Sequence, residues 1–180
     1  MPILSGMPVS SYASMPIDQA IVARSKRPIR TEAGLQYLAS SNGSLYYEVQ
    51  MLNYAAKESL NTQSGFEHNV AVETFLVHFR NVRDFLYPAS DSWTNDRKFD
   101  DVIAFDFCSD WLSVADDWKE CSANERHRVN KLLAHISYSR PQLDHNWPVA
   151  YMVAVIRNSF AAFVSTLPPE RKEWFSAYGA

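Results

Sequence analysis

The chain has 180 residues, 47% hydrophobic content and a formal net charge of -3, with a pI near 5.9. This length and composition favour one folded globular domain, and they exclude a disordered chain or a globally basic nucleic-acid-binding protein. The two cysteines are too few and too far apart for a disulfide framework, and the longest apolar run is far short of a membrane span. We therefore expect a cytoplasmic protein that makes no contact with a membrane.

The positions of the glycines predict the fold class. All five lie at positions 6, 34, 43, 65 and 179, so the stretch 66–178 contains none. Tight β-hairpins and phosphate-binding loops usually need glycine, because it adopts positive φ and allows close backbone approach. This stretch is instead interrupted by prolines, which are common where helices begin and end. The sequence therefore predicts an all-α domain, a bundle of about four to five main helices.

Residues 1–30 hold four of the nine prolines, which predicts an extended N-terminal arm before a single all-α domain over 31–180. A short helix is predicted in TEAGLQYLA and a longer one over 44–59. The next helix, over 66–87, is predicted from a run of apolar residues at helical spacing: Val72, Phe75, Phe79, Val82 and Leu86. Further helical segments are predicted in VIAFDFCSDWLSVADDWK, over 122–136, over 147–167 and in PPERKEWFSAY.

The predicted helix around NERHRVNKLLAHISYSR (124–140) concentrates three arginines, one lysine and two histidines. Arg128 and His135 are seven positions apart, so they lie within about 20° of each other on a helix, with Lys131 on the same side. An apolar stripe adjoins them. The basic face therefore borders the core, where partial desolvation makes charge and protonation chemically useful. The alternative is that His135 is only a hydrogen-bonded structural residue.

A second polar row runs along the predicted helix over 66–87. Glu73, Arg80 and Asp84 fall within about 40° of one another, away from the apolar stripe. Arg157 is the only charged residue between Trp147 and Leu167, on a helix that is apolar nearly all round. We expect Arg157 to be buried and paired with Glu73 or Asp84. The pattern favours a structural ion-pair network for this set, and the alternative is that it forms part of a catalytic site.

The sequence lacks the motifs of a metal site and of a catalytic serine. No two histidines stand four positions apart and no HExxH motif occurs, so a metal site is not expected. No Gly-x-Ser-x-Gly motif is present for a nucleophilic serine. We expect neither a metal nor another cofactor.

An arginine followed, after four to six residues, by a histidine on a late helix of an all-helical domain is typical of the HEPN superfamily. This chain resembles it in RVNKLLAH, where six residues separate Arg128 from His135. The preceding ETFLVHFRNVRDFLY is similar to the second helix of HEPN-like bacterial proteins, and the resemblance covers roughly 44–167. The polar residue that commonly follows the arginine is displaced by one position, because Val129 precedes Asn130.

The resemblance implies a metal-independent endoribonuclease of toxin or defence type, acting as a homodimer whose two motifs meet in one cleft. It implies His135 and Arg128 as the catalytic residues, with Asn130, Lys131, Glu73 and Arg80 in support. RNA would be the substrate, and a protein partner or antitoxin would regulate it.

The alternatives are a non-catalytic helical interaction module and a protein that binds an unknown small molecule. The interaction module would use three tryptophans that we expect to be exposed, Trp93, Trp111 and Trp118.

Overall fold

The computed structural model describes residues 27–62, 64–88, 100–111, 128–131, 133 and 146–178. Most of these residues are helical and none of them lies in a β-strand. Their buried apolar side chains form one continuous core that receives residues from nearly every described segment. The predicted all-α fold is confirmed.

The helices are α1 (Glu32–Ala39), α2 (Ser44–Asn61), α3 (Phe66–Leu86), α4 (Ala104–Phe107), α5 (Val149–Thr166) and α6 (Pro169–Lys172), which leads into a 3₁₀-helix (Glu173–Tyr178). Residues 128–131 and 133 are also helical. The long helices begin and end within two residues of the predicted bounds. The rest of the predicted helix over 122–136 lies outside the described residues, as does most of the arm.

The centre of the fold is the hairpin formed by α2 and α3. The turn between these helices contains Gly65, whose φ of 94° is a conformation that L side chains rarely adopt. The helices run antiparallel, so that Tyr47 near the start of α2 meets His78 in the second half of α3. Their inward faces carry fully buried apolar residues such as Leu52, Phe75 and Phe79. This hairpin is the surface against which α5 packs.

An aromatic cluster joins α3, α4, α5 and the C-terminal 3₁₀-helix. Phe163 of α5 lies at its centre, with five further rings packed within about 6 Å of its own: Phe85, Phe107, Trp111, Phe160 and Phe175. Rings at these separations and mostly perpendicular angles are in the favourable edge-to-face arrangement. At the edge of the cluster, burial raises the pKa of the Tyr178 phenol, with a smaller contribution from Tyr46, so Tyr178 stays neutral.

The predicted exposure of Trp111 is wrong. Its side chain is 1% exposed and its Nε1–H donates to the carbonyl oxygen of Leu86 at 2.8 Å. The apolar ring fills the core, while the hydrogen bond satisfies its polar atom. Trp93 and Trp118 lie outside the described residues.

The end of the N-terminal arm is fixed to the domain. Arg27 is buried, and its guanidinium donates to the carbonyl oxygen of Asp101 at 2.5 Å and to the Asp106 carboxylate at 3.3 Å. Arg30 also donates to the Asp101 carbonyl, at 3.1 Å. Arg27 and Arg30 thereby attach the end of the arm to Asp101, which precedes α4, and to Asp106, which lies within α4.

The prediction that Arg157 is buried and ion-paired is also wrong. Arg157 is exposed on the outer face of α5, and its Nε donates to Oδ1 of Asn53 on α2 at 2.7 Å. A fully buried cation occurs instead on α3, where Arg83 is 0% exposed and donates twice to Asp84 Oδ1, at 3.2 and 3.0 Å. Arg83 was not among the residues predicted to be buried and paired.

Because Arg157 is solvated, Arg157→Met is expected to lower the free energy of unfolding by no more than about 1 kcal/mol. Asn53→Ala, which removes the other partner of the same hydrogen bond, is the matched control and should have a similarly small effect. Urea denaturation of both variants measures this change. A loss of about 3 kcal/mol or more for Arg157→Met would contradict the exposed position.

One helix among the described residues, α5, is long and apolar enough to cross a membrane, with a mean hydropathy of 1.4. The core helix of a globular protein has the same properties. Its inner face, including Met152, Ile156 and Phe163, belongs to the hydrophobic core, and its outer face carries Arg157. Length and composition alone are therefore weak evidence for a membrane span.

Candidate functional site

A groove lies where the α2–α3 turn approaches the beginning of α5 and the helical residue Leu133. Its volume is about 390 Å³, within the usual range for sites that bind small molecules or parts of larger ligands. We call it the α3 groove. Its lining residues are Ser59, Leu60, His68, Asn69, Val72, Glu73, Leu76, Leu133, Asn146, Trp147 and Val149.

The polar wall of the α3 groove consists of side chains from the first half of α3. Asn69 and Glu73 are four positions apart, so they are neighbours on one face of the helix. Within the described ranges, neither side chain has a hydrogen bond or an ion pair. An amide and a carboxylate therefore present their hydrogen-bonding atoms side by side to whatever enters the groove.

His68 contributes an imidazole of defined orientation. Its Nδ1 lies 2.8 Å from the backbone carbonyl oxygen of Thr62. Because a carbonyl oxygen only accepts, Nδ1 must carry the proton, and the neutral ring then has its lone pair on Nε2. This contact fixes which nitrogen can accept a proton from a ligand.

Arg128 lies directly beside the groove. Its Cζ atom is 4.2 Å from the centroid of the Trp147 ring, and its Nη2 donates to the carbonyl oxygen of Asn146 at 3.0 Å. Both contacted residues line the groove. The guanidinium is half-buried against the indole, an arrangement in which a cation–π contact is strengthened by desolvation. A cation and an aromatic ring are thereby held together at the edge of the cavity.

The structure brings two of the predicted site residues to the same place, because Glu73 lines the groove and Arg128 contacts two lining residues. Asn130 and Lys131 follow Arg128 in the same helical segment and are half-buried. Arg80 is not part of the groove lining. Its Nε lies 3.9 Å from Asp84 Oδ2 in a partly exposed i, i+4 pair, a weak structural contact.

His135, the other residue of the predicted catalytic pair, lies outside the described residues. Its proximity to Arg128 remains a prediction from helical spacing.

A polar cluster between α2 and α3 was not predicted from the sequence. His78 is 8% exposed, and its Nδ1 lies 2.7 Å from Oε2 of Glu48, which also accepts from the Asn81 amide at 3.0 Å. The burial of His78 could have been predicted from its position next to Phe79, because Phe79 belongs to the face of this helix that was predicted to enter the core. The partner, Glu48, is thirty residues away in sequence and could not be inferred from spacing.

Within the part of the chain that the structure describes, no group of three or more His, Cys, Asp or Glu side chains is placed to hold a metal ion.

No protein-family model, curated protein or solved structure matches this chain. The resemblance to the HEPN superfamily therefore rests on the motif around Arg128 and on the helical fold class. The class of protein that the observations define is an all-α domain with a mixed polar and aromatic groove.

Proposed function

We propose that the chain is a HEPN-like, metal-independent endoribonuclease of toxin or defence type that acts as a homodimer. The observation that carries this proposal is the meeting of Arg128, Trp147 and Glu73 at one groove. Single-stranded RNA is typically bound by a cation for the phosphate, an aromatic ring for a base and polar groups for the base edge. All three are within or beside the α3 groove.

In the proposed reaction the ribose 2′-oxygen attacks the adjacent phosphorus, and the bond to the 5′-oxygen of the next nucleotide breaks. The 2′-hydroxyl loses a proton and the leaving 5′-oxygen gains one, which yields a 2′,3′-cyclic phosphate and a 5′-hydroxyl. His135 acts as the general base or acid for one of these two transfers, and water serves the other. Arg128 stabilises the charge on the pentavalent phosphate. Asn130, Lys131 and Glu73 support the pair by orienting it or by balancing charge, and Arg80, which lies outside the groove lining, contributes only as a more distant charge. No metal ion is needed, because side chains supply the proton transfer and the charge.

The homodimer would bring two copies of the motif into one cleft, and a protein partner or antitoxin would control access to it. We place this activity in the cytoplasm, where RNA is available. Since the chain carries a net charge of -3, its hold on RNA depends on a few local cations and should weaken as salt screens them.

The test is incubation of the purified protein with a mixed RNA pool in EDTA, at low and at moderate salt. We expect cleavage that survives chelation and slows as the salt concentration rises. Cleavage that appears only after magnesium is added would contradict the mechanism. No cleavage under any condition would contradict the enzyme itself.

A second candidate, the non-catalytic interaction module, is favoured by an exposed apolar face on α3. Phe66, Val70 and Val77 are 82%, 46% and 44% exposed and lie within about 40° of one another around the helix. Exposed apolar residues grouped on one face are typical of association surfaces. The same RNA assay separates the candidates, because a module of this kind binds a protein without cleaving RNA.

A further inference from the structure

The α3 groove has the size and the lining of a site for a flat heteroaromatic ring. Its volume of about 390 Å³ is at the lower end of the range for small-molecule sites, which suits one base better than an extended ligand. Apolar side chains from α3, α5 and Leu133 form its walls, and Trp147 supplies an aromatic surface. Arg128 already covers the indole at 4.2 Å, which fixes the orientation of the ring.

Glu73 and Asn69 differ in the hydrogen bonds that they can make within the groove. Glu73 carries a carboxylate, which only accepts hydrogen bonds, with two oxygens side by side. Asn69, one helical turn earlier, offers an amide that donates and accepts. A base that presents two adjacent N–H donors, with a carbonyl oxygen next to them, would satisfy both side chains at once.

Among the four RNA bases, only guanine has this pattern. Its N1–H and N2–H groups can donate together to Glu73, and its O6 can accept from the Asn69 amide. Adenine and cytosine place a ring-nitrogen acceptor beside their amino group, and uracil places a carbonyl on each side of its single N–H. Those acceptors would face the Glu73 carboxylate and repel it.

We infer that the α3 groove is a guanine-binding pocket, in which the base stacks on the face of Trp147 opposite Arg128 and Glu73 determines specificity. This inference rests on the proposed function in one respect, because it takes RNA to be the ligand. It adds that cleavage occurs next to guanosine, whose phosphate would lie beside Arg128.

Calorimetric titration with the four nucleoside 3′-monophosphates tests the inference without requiring cleavage. We expect the guanosine monophosphate to bind about 10-fold more tightly than each of the others, the discrimination that one bidentate contact gives. Glu73→Gln should remove this preference, because the amide can accept at only one of its two atoms. Trp147→Ala should weaken binding of all four by about 10-fold through loss of stacking.

Glu67→Gln is the matched control. Glu67 is an exposed residue in the first turn of α3, outside the groove lining, and the change removes the same charge. It should retain the guanine preference of the wild type. Circular dichroism melting of each variant confirms that it is folded.

Equal affinity for the four nucleotides, no binding at millimolar concentration, or an unchanged preference in Glu73→Gln would each overturn the guanine pocket. Cleavage of RNA without guanosine preference would do the same while leaving the nuclease intact. Guanine-selective binding together with no cleavage of RNA would support the pocket and overturn the nuclease.

Discussion

Replacing His135 with alanine is expected to lower the rate of RNA cleavage by about 10²- to 10⁴-fold, the range that general acid–base catalysis supplies. The helical spacing of the motif predicts that His135 shares a face with Arg128 at the border of the core. Removal of the imidazole takes away the group that moves the proton. The phosphate contact to Arg128 remains, so RNA binding should change far less than cleavage.

Arg128→Lys is the companion variant. It keeps the positive charge but loses the planar guanidinium that stacks on Trp147 and can bind a phosphate through two parallel hydrogen bonds. We expect a large loss of cleavage here as well. Lys57→Ala, which removes an exposed cation from α2, is the control for a general loss of positive charge and should cleave normally.

Single-turnover cleavage rates and RNA affinity, measured separately for these variants, distinguish catalysis from binding. A His135→Ala protein that cleaves as fast as the wild type would remove His135 from the mechanism. In that case His68, whose Nε2 is left to accept a proton beside the groove, becomes the histidine to replace next.

Trp111→Ala is expected to lower the free energy of unfolding by about 3–5 kcal/mol, the usual cost of truncating a buried aromatic residue. The side chain is 1% exposed and packs against Tyr87 and Phe163. Its removal leaves a cavity in the aromatic cluster and deprives the Leu86 carbonyl of its donor. Urea denaturation followed by circular dichroism measures the change.

Trp111→Phe separates the two contributions. The smaller ring keeps much of the aromatic packing but cannot donate to Leu86, so we expect an intermediate loss. Trp174→Ala is the control, since that ring is only half-buried and its removal should cost less. If Trp111→Ala unfolds at the same urea concentration as the wild type, Trp111 is exposed in solution, as the sequence predicted.

The sequence by itself determined the fold class and the position of the long helices. A stretch of more than a hundred residues without glycine disfavours tight hairpins, and the recurrence of Phe75, Phe79, Val82 and Leu86 marks one face of a helix. Both signals are local, because they depend on backbone preference and on residues less than four turns apart. They also indicated which face of α3 enters the core.

Only the tertiary structure decided what covers each face and which distant residues meet. Arg157 and Trp111 show the difference: a lone charge on an apolar helix proved exposed, and a tryptophan expected at the surface proved buried. The α3 groove likewise joins Glu73 to Trp147 across more than seventy positions, and Glu48 reaches His78 from another helix. Periodicity gives the angle of a side chain around its own helix, but burial and pairing depend on how the helices pack against one another.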